Sequence, residues 1–433
     1  MPNQSTRRQF LGSVGGLIWG GLTTTGVIPI LASPPRASAT SIESDLFPAP
    51  PISVAAFNQR IARIRSQMRT DKLDCLMVSS VLNHAVRYLG FFDPELQGRA
   101  SGSSQLVSVL LPLEGDPVLF LQTFTAAEYL RPRAEASSYV KDVRLVGGDN
   151  QKVLQLAADQ IRSWRLDSGR LGLAGGEIDW AEHLFFSQLL PCLDHVEANS
   201  MLNRLRIIKD DEEIGLMRHS AAIGDSAMVE VERYMAPGVT DRELYARAMA
   251  SMIAAGGEED TFVLMGIGPN QNAMLMELID GRTLSKGNVI VYETLPFYRL
   301  YNTELAVTFS LGPVSAMQKR AADACQAAYE AGVAVTKPGI PVSNVVDAAL
   351  AAFQERGFPS FTHTPGHFIG LDNYEGPSLR SHDTILQKGM IFSFHPNLVI
   401  PGQVKQEICG ILLVTDHGVE NLSQYPPRGI RVV

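Results

Sequence analysis

The run from Phe361 to Pro396, FTHTPGHFIGLDNYEGPSLRSHDTILQKGMIFSFHP, constrains this chain more than any other stretch. It sets His363, His367 and His395 among glycines, β-forming residues and a Lys388-Gly389 turn. Upstream, Glu293 and Glu304 lie in NVIVYETLPFYRLYNTELAVTFS, two strand-like runs joined by a short connection, and downstream Glu407 sits in VKQEICGILLV. An ionised carboxylate inside an apolar strand is costly to bury unless a partner pairs with it or coordinates it. A divalent cation would meet that demand for several groups at once. Oxygen and imidazole ligands suit manganese, zinc, iron or cobalt, and the absence of a cysteine pair at ligand spacing excludes a structural zinc knuckle or an iron–sulfur centre. Taken singly, a Glu or His in a strand is ordinarily solvent-facing or satisfied by a neighbour. The constellation is what points to one site.

The N-terminus carries a second signal. Thr6-Arg7-Arg8-Gln9-Phe10-Leu11 resembles a twin-arginine export motif, followed by an apolar stretch from Leu11 to Leu31 and a small-x-small site at Ala37-Ser38-Ala39. Residues 1–39 are therefore expected to be a signal peptide read by the twin-arginine export machinery, with cleavage before Thr40 and delivery to the periplasm or the exterior. The alternative use of such a stretch is an uncleaved membrane anchor. Export in the folded state fits a protein that takes up a metal before it leaves the cytoplasm.

The remaining chain reads as a substantial enzyme. With 433 residues, 45% of them hydrophobic and 19% charged, it can bury two cores, and a net charge of −8 without a basic cluster gives no footprint for nucleic acid. A linker over residues 40–52 contains Phe47-Pro48-Ala49-Pro50-Pro51. From Ser53 a helical run continues through IARIRSQMR with its arginines expected on the wet face. CLMVSSV, LVSVLLPL, PVLFLQT and GRLGLAGGEI read as strands among helices, an α/β pattern, up to a boundary at residues 200/201. Beyond it, DDEEIGLMRHSAAIGDSAMVEVERYM and ELYARAMASMIAAGG are helices, the second opened by a Thr240/Glu243 capping box and ended at Gly256-Gly257. Another helix pair, AMQKRAADACQAAYEAGVAVT and VSNVVDAALAAFQERG, precedes the histidine-bearing block; residues 426–433 form a tail. Cys75, Cys325 and Cys409 lie in apolar context and are expected to be buried free thiols. Cys409 stands two positions after Glu407, on the same side of a strand, where core packing is the ordinary use and bordering the site is the alternative.

Four stretches resemble the creatinase/aminopeptidase P family, which has the "pita-bread" fold and includes Xaa-Pro aminopeptidases, prolidases, methionine aminopeptidases and creatinase. They are Arg204 to Ala221 (RLRIIKDDEEIGLMRHSA), Pro237 to Leu244 (PGVTDREL), the Glu293/Glu304 unit, and the block from HTPGHFIGLDNYEGP to GMIFSFHP. YLGFF at Tyr88 to Phe92 resembles the family's N-terminal domain. The resemblance implies a small creatinase-like α/β domain over residues 53–200, a pita-bread α+β catalytic domain over 201–425, and a homodimer. It also implies that Glu293, Glu304, His367, His395 and Glu407 occupy the metal-ligand positions, where metal-dependent members carry two aspartates, a histidine and two glutamates. Three of the five differ here, each replacement still being able to ligate. The expectation is one tight divalent metal, on a two-histidine set completed by Glu407 or Glu304, with a second, weaker one.

The same resemblance places proton-handling groups at His363, at Tyr374 (a histidine in most members) and at Glu277, beside Met276 in NQNAMLMEL. A tyrosine hydroxyl can donate to a developing oxyanion but is a poor base at neutral pH. Glu277 is a carboxylate base if it points inward; otherwise it and Asp280 form a solvated turn ahead of Gly281. The implied reaction is metal-assisted cleavage of a peptide or related C–N bond in a small peptide or amino-acid-derived substrate, with His363 and Tyr374 stabilising the oxyanion or leaving group. Alternatives are a metal-independent, creatinase-like C–N hydrolase acting on a small guanidino or N-methyl amino acid, and a catalytically degenerate binding protein.

Overall fold

The computed structural model describes residues 51–80, 85–92, 106–123, 128–175, 179–268, 281–362, 364–379, 384–400 and 402–433. The expected signal peptide, most of the linker, His363, Met276 and Glu277 lie outside the described residues. Among those described, no helix is long and apolar enough to cross a membrane.

The N-terminal domain runs α1 (Val54–Asp71), β1 (Cys75–Ser80), α2 (Ala85–Tyr88), β2 (Val107–Pro112), β3 (Val118–Thr123), α3 (Arg131–Ala136), β4 (Asp142–Gly147), α4 (Asn150–Ser163), β5 (Arg170–Ala174), α5 (Trp180–Leu189), β6 (Asp194–Glu197) and α6 (Asn199–Arg206). Ser53 opens α1 by accepting from the Ala56 amide, as an N-cap hydroxyl should. The strands form one mixed sheet in the order β4-β3-β2-β1-β5-β6, in which β2 lies antiparallel to both neighbours. Strands β1, β2 and β3 are buried throughout, which is why they read as continuous apolar runs. The boundary expected at 200/201 falls inside α6.

The C-terminal domain repeats one plan twice, a helix pair laid on a sheet. First come α7 (Asp211–Tyr234), α8 (Asp241–Ala254), β7 (Phe262–Gly268), β8 (Val289–Leu295), β9 (Phe297–Tyr298), β10 (Tyr301–Asn302) and β11 (Leu305–Ser310). Then follow α9 (Ala316–Val335), α10 (Val342–Gln354), β12 (Gly366–Phe368), β13 (Glu375–Ser378), β14 (Ile391–Phe394), β15 (Leu398–Ile400), β16 (Val404–Gln406), β17 (Gly410–Val414), β18 (Val419–Asn421) and β19 (Arg431–Val432). Capping boxes start α7 at Asp210/Glu213 and α8 at Thr240/Glu243, the latter as expected from sequence. The first sheet has the order β19-β11-β8-β7 and the second β13-β12-β14-β17-β18. An isolated bridge between Val307 and Ile408 and the Cys409 amide donating to the Ala306 carbonyl stitch the two together. Alanines 321, 324 and 328 of α9 allow close approach to α10 and to Phe368, Phe392 and Phe394 below.

The two domains share a core. Phe57, Ile61 and Ile64 of α1 and Leu76 and Val78 of β1 pack in one cluster with Ile369, Leu371, Ile391, Ile411 and Leu413. The arginines of IARIRSQMR are half-buried or exposed as expected, but Arg60, one position before that stretch, is buried, 3.0 Å from Glu213 and 3.3 Å from the Tyr301 hydroxyl, with its guanidinium over the Tyr88 ring. Burial alone would disfavour that charge, and Tyr301 and Glu213 hold it.

Candidate metal centre

Register places the site residues on the facing surfaces of the two C-terminal sheets. Glu293 pairs with Ala306 across β8 and β11, and Glu304 lies two positions before Ala306, so both carboxylates occupy one face. His367 pairs with Ser393 across β12 and β14, and His395 stands two positions beyond Ser393, so both imidazoles occupy one face of the other sheet. Where the faces meet, Glu304 Oε2 lies 3.2 Å from His367 Nε2, and Glu304 Oε1 lies 3.7 Å from His395 Nε2. One donor atom from each of these three buried residues falls within 4.8 Å of the others.

Short polar side chains finish the surroundings of Glu304. Ser393 Oγ donates to Oε1 at 3.2 Å, and Cys409 Sγ sits 3.5 Å from the same oxygen and 3.3 Å from Ser393 Oγ. Cys409 is buried, and it borders the site besides filling the core, which corrects the expectation of packing alone. Glu407 is held from its backbone: its amide donates to Thr308 Oγ1 at 2.8 Å, and that hydroxyl donates to its carbonyl.

The three carboxylates titrate apart. Burial pushes Glu304 up, but the His367 and His395 imidazoles outweigh it and hold the group down to about 2. Glu293 is pushed well above the usual carboxylate range by burial and by the charges of Glu304 and Glu407. Burial, opposed by Lys405 and assisted by Glu304, raises Glu407 to about 8. With no cation present, Glu304 therefore carries the negative charge while Glu293 and Glu407 keep their protons.

These residues fit a metal. His367 Nδ1 faces the Phe368 carbonyl at 3.3 Å; with Nδ1–H donating there, Nε2 turns a lone pair toward Glu304 Oε2. That Nε2 makes no hydrogen bond among the described residues, and neither does the buried Glu407 Oε2. At 3.2 Å, Nε2 and Oε2 need a shared proton or a cation between them, and a metal ion bound by both would serve that role. Two histidines and a carboxylate suffice for one transition metal with open positions. The carboxylate that completes this set is Glu304, where sequence left Glu304 and Glu407 as alternatives.

Tyr374 lies at the mouth, exposed, with its ring 3.9 Å from that of His367. Partial burial of the hydroxyl and the charges of Glu304 and Glu293 push it up to about 12, so it stays protonated and able to donate. The loop that carries it is fixed by Glu375, buried beside it. Arg206 donates to Glu375 at 2.8 Å, Lys209 at 2.6 Å and the Leu371 amide at 2.8 Å, while Arg206 also pairs with Asp372.

Sequence comparison agrees with this geometry. The model of Metallopeptidase family M24 matches residues 215–420, and that of the Creatinase/Prolidase N-terminal domain matches residues 60–208. Together they take in most of the chain and both domains, in the family's order. The chain belongs to the creatinase/aminopeptidase P family. Similar members include the probable dipeptidase PepE of Mycobacterium tuberculosis (strain ATCC 25618 / H37Rv), 27% identical over 336 residues, 76% of this chain and 86% of the relative. An Xaa-Pro dipeptidase of Pyrococcus furiosus is 25% identical over 296 residues, 67% of this chain and 85% of its own length. The crystal structure of dipeptidase PepE from Mycobacterium ulcerans superposes with a TM-score of 0.75 at 25% identity, covering 88% of this chain and 99% of that one. A prolidase from Thermococcus sibiricus shares the fold with a TM-score of 0.76 at 21% identity, over 87% and 99% of the two chains. Family membership and the buried Glu/His/His cluster together mark a hydrolase of the metallopeptidase type.

Within this creatinase/aminopeptidase P member, Glu304, His367 and His395 converge, while Glu293 and Glu407 adjoin them through their charges. Cys409, read from sequence with bordering the site as its alternative use, two positions after Glu407 on one side of a strand, does border it; Ser393 and Lys405 were not singled out. Period two could have found these two: Ser393 stands two before His395 and Lys405 two before Glu407.

Proposed function

We propose that the protein is an exported hydrolase that cleaves a peptide or related C–N bond in a dipeptide-sized substrate, Xaa-Pro dipeptides among the candidates, with one tightly held divalent cation and a second, weaker one. The observation that carries this reading is the convergence of His367 Nε2 and His395 Nε2 on Glu304, at 3.2 and 3.7 Å, in a buried site. When bound, a transition metal there polarises a carbonyl and activates a water. Manganese, zinc, iron and cobalt all suit the donors.

The chain's own groups do the rest. Glu304 stays ionised and anchors the cation, and Glu293 and Glu407, protonated without it, can take protons or hold them close to the reacting centre. Tyr374 presents a protonated hydroxyl at the mouth, placed to donate to a developing oxyanion. His363 and Glu277 are assigned the remaining proton transfers by the family resemblance. The names of the related dipeptidase and Xaa-Pro dipeptidase support dipeptides as the first substrates to test. Export rests on the Arg7-Arg8 motif and the Ala37-Ser38-Ala39 site, and a homodimer on the family habit.

The test is to assay purified protein against dipeptides with and without proline, stripped of metal and reconstituted. Hydrolysis that appears only with metal supports the reading. Activity that persists in the stripped enzyme moves the assignment to metal-independent C–N hydrolysis, and no activity on any dipeptide removes the peptidase substrate class.

A further inference from the structure

We infer that Lys405 takes the place of a second metal ion, so that the site binds one divalent cation tightly and its own ammonium supplies the remaining positive charge; the inference rests on the metal site proposed above.

The geometry starts with Gly266. Lys405 is completely buried, and its side chain ends against Gly266 of β7 so closely that a Cβ there would overlap Nζ and stand 3.4 Å from Cε. Gly266 pairs with Val291 across β7 and β8, and Val291 shares its face with Glu293 two positions on. The ammonium thus comes to rest on the sheet face that bears Glu293. Lys405 and Glu407 are also two apart on an extended segment and project to the same side.

Charge balance then chooses the stoichiometry. Three buried carboxylates, Glu293, Glu304 and Glu407, are neutralised by one divalent cation and one ammonium. Two divalent cations plus the ammonium would leave an excess of two positive charges in a dry site, where unpaired charge is most costly. The donor geometry agrees, since among the described residues the ligand atoms that fall within 4.8 Å of one another come from Glu304, His367 and His395 alone.

The experiment is an equilibrium titration of the metal-stripped full-length protein with Mn(II) and with Co(II), following heat and, for manganese, the paramagnetic resonance signal. Wild type and Lys405→Arg are expected to bind one equivalent tightly with a mononuclear signal. Lys405→Met is expected to gain a second equivalent at least ~100-fold tighter than the weak second site of wild type, with a spin-coupled signal. Should the methionine variant not fold, Lys405→Gln, which keeps a donor without charge, makes the same comparison. Two tight equivalents or a coupled signal in wild type overturn the inference, as does an unchanged second site once the charge is removed. Absence of any tight metal in wild type would instead overturn the metal site itself.

Discussion

Glu375→Gln isolates the contacts that hold the loop bearing Tyr374. Glu375 is 1% exposed and receives Lys209, Arg206 and the Leu371 amide, so the substitution keeps the shape but removes the charge opposite two buried cations. Breaking a buried pair costs about 3–5 kcal/mol. Asp372 still pairs with Arg206, which leaves Lys209 as the ion losing its partner and places the expected cost near the low end, about 3 kcal/mol. An unfolding entropy of about 2.1 cal/mol/K per residue, taken over the compact unit from Asp45 to Val433, gives roughly 0.8 kcal/mol/K and hence a fall in Tm of about 4 °C. Calorimetry at neutral pH reads that shift directly. Although burial pushes Glu375 up, Lys209 and Arg206 hold it below its ordinary value. Its contribution is therefore complete above the unfolded carboxylate range and disappears as pH falls through the lowered value, so the gap between wild type and variant should close on acidification. A variant with unchanged Tm at pH 7, or a gap that widens in acid, would refute the argument.

Three further outcomes follow from the site. His367→Ala should weaken metal binding by more than ~100-fold and lose activity with it, read by chelator competition alongside turnover; activity retained without metal would contradict the centre. On the proposed oxyanion role of its hydroxyl, Tyr374→Phe should lower kcat by about 10²-fold with metal content unchanged; an equal loss of metal would assign it a different role. Glu407 is raised in the folded, metal-free protein, so the stability of that form is complete in mild acid and is lost as pH rises toward about 8. Thermal melts of the stripped protein should fall between pH 5 and 9, on the order of a few kcal/mol, and added metal should flatten the slope. A slope of the opposite sign would show that Glu407 is not protonated there.

Much of this was legible in the chain. Asp210 and Thr240 caps, each with Glu three positions later, mark where α7 and α8 begin, and apolar runs of four to seven residues mark the buried strands of both domains. Glu293, Glu304, His367, His395 and Glu407 stood out because each is a costly residue in an apolar strand. What stayed hidden depends on contacts distant in sequence. Helical spacing on α1 cannot tell that Arg60 meets Glu213 and Tyr301 from the other domain. Nor does spacing decide between Glu304 and Glu407 as the carboxylate nearest both imidazoles, since that follows from how two separate sheets meet. Lys405 was passed over because a lysine in an edge strand ordinarily reaches water, and only the missing side chain of Gly266 leaves it room to point inward.

The most direct test of the centre is elemental analysis of the protein, purified without chelating resin or added metal. Close to one equivalent of manganese, iron, zinc or cobalt per chain, lost in His367→Ala, is the predicted result. Less than about a tenth of an equivalent, unchanged after reconstitution, would contradict the metal centre.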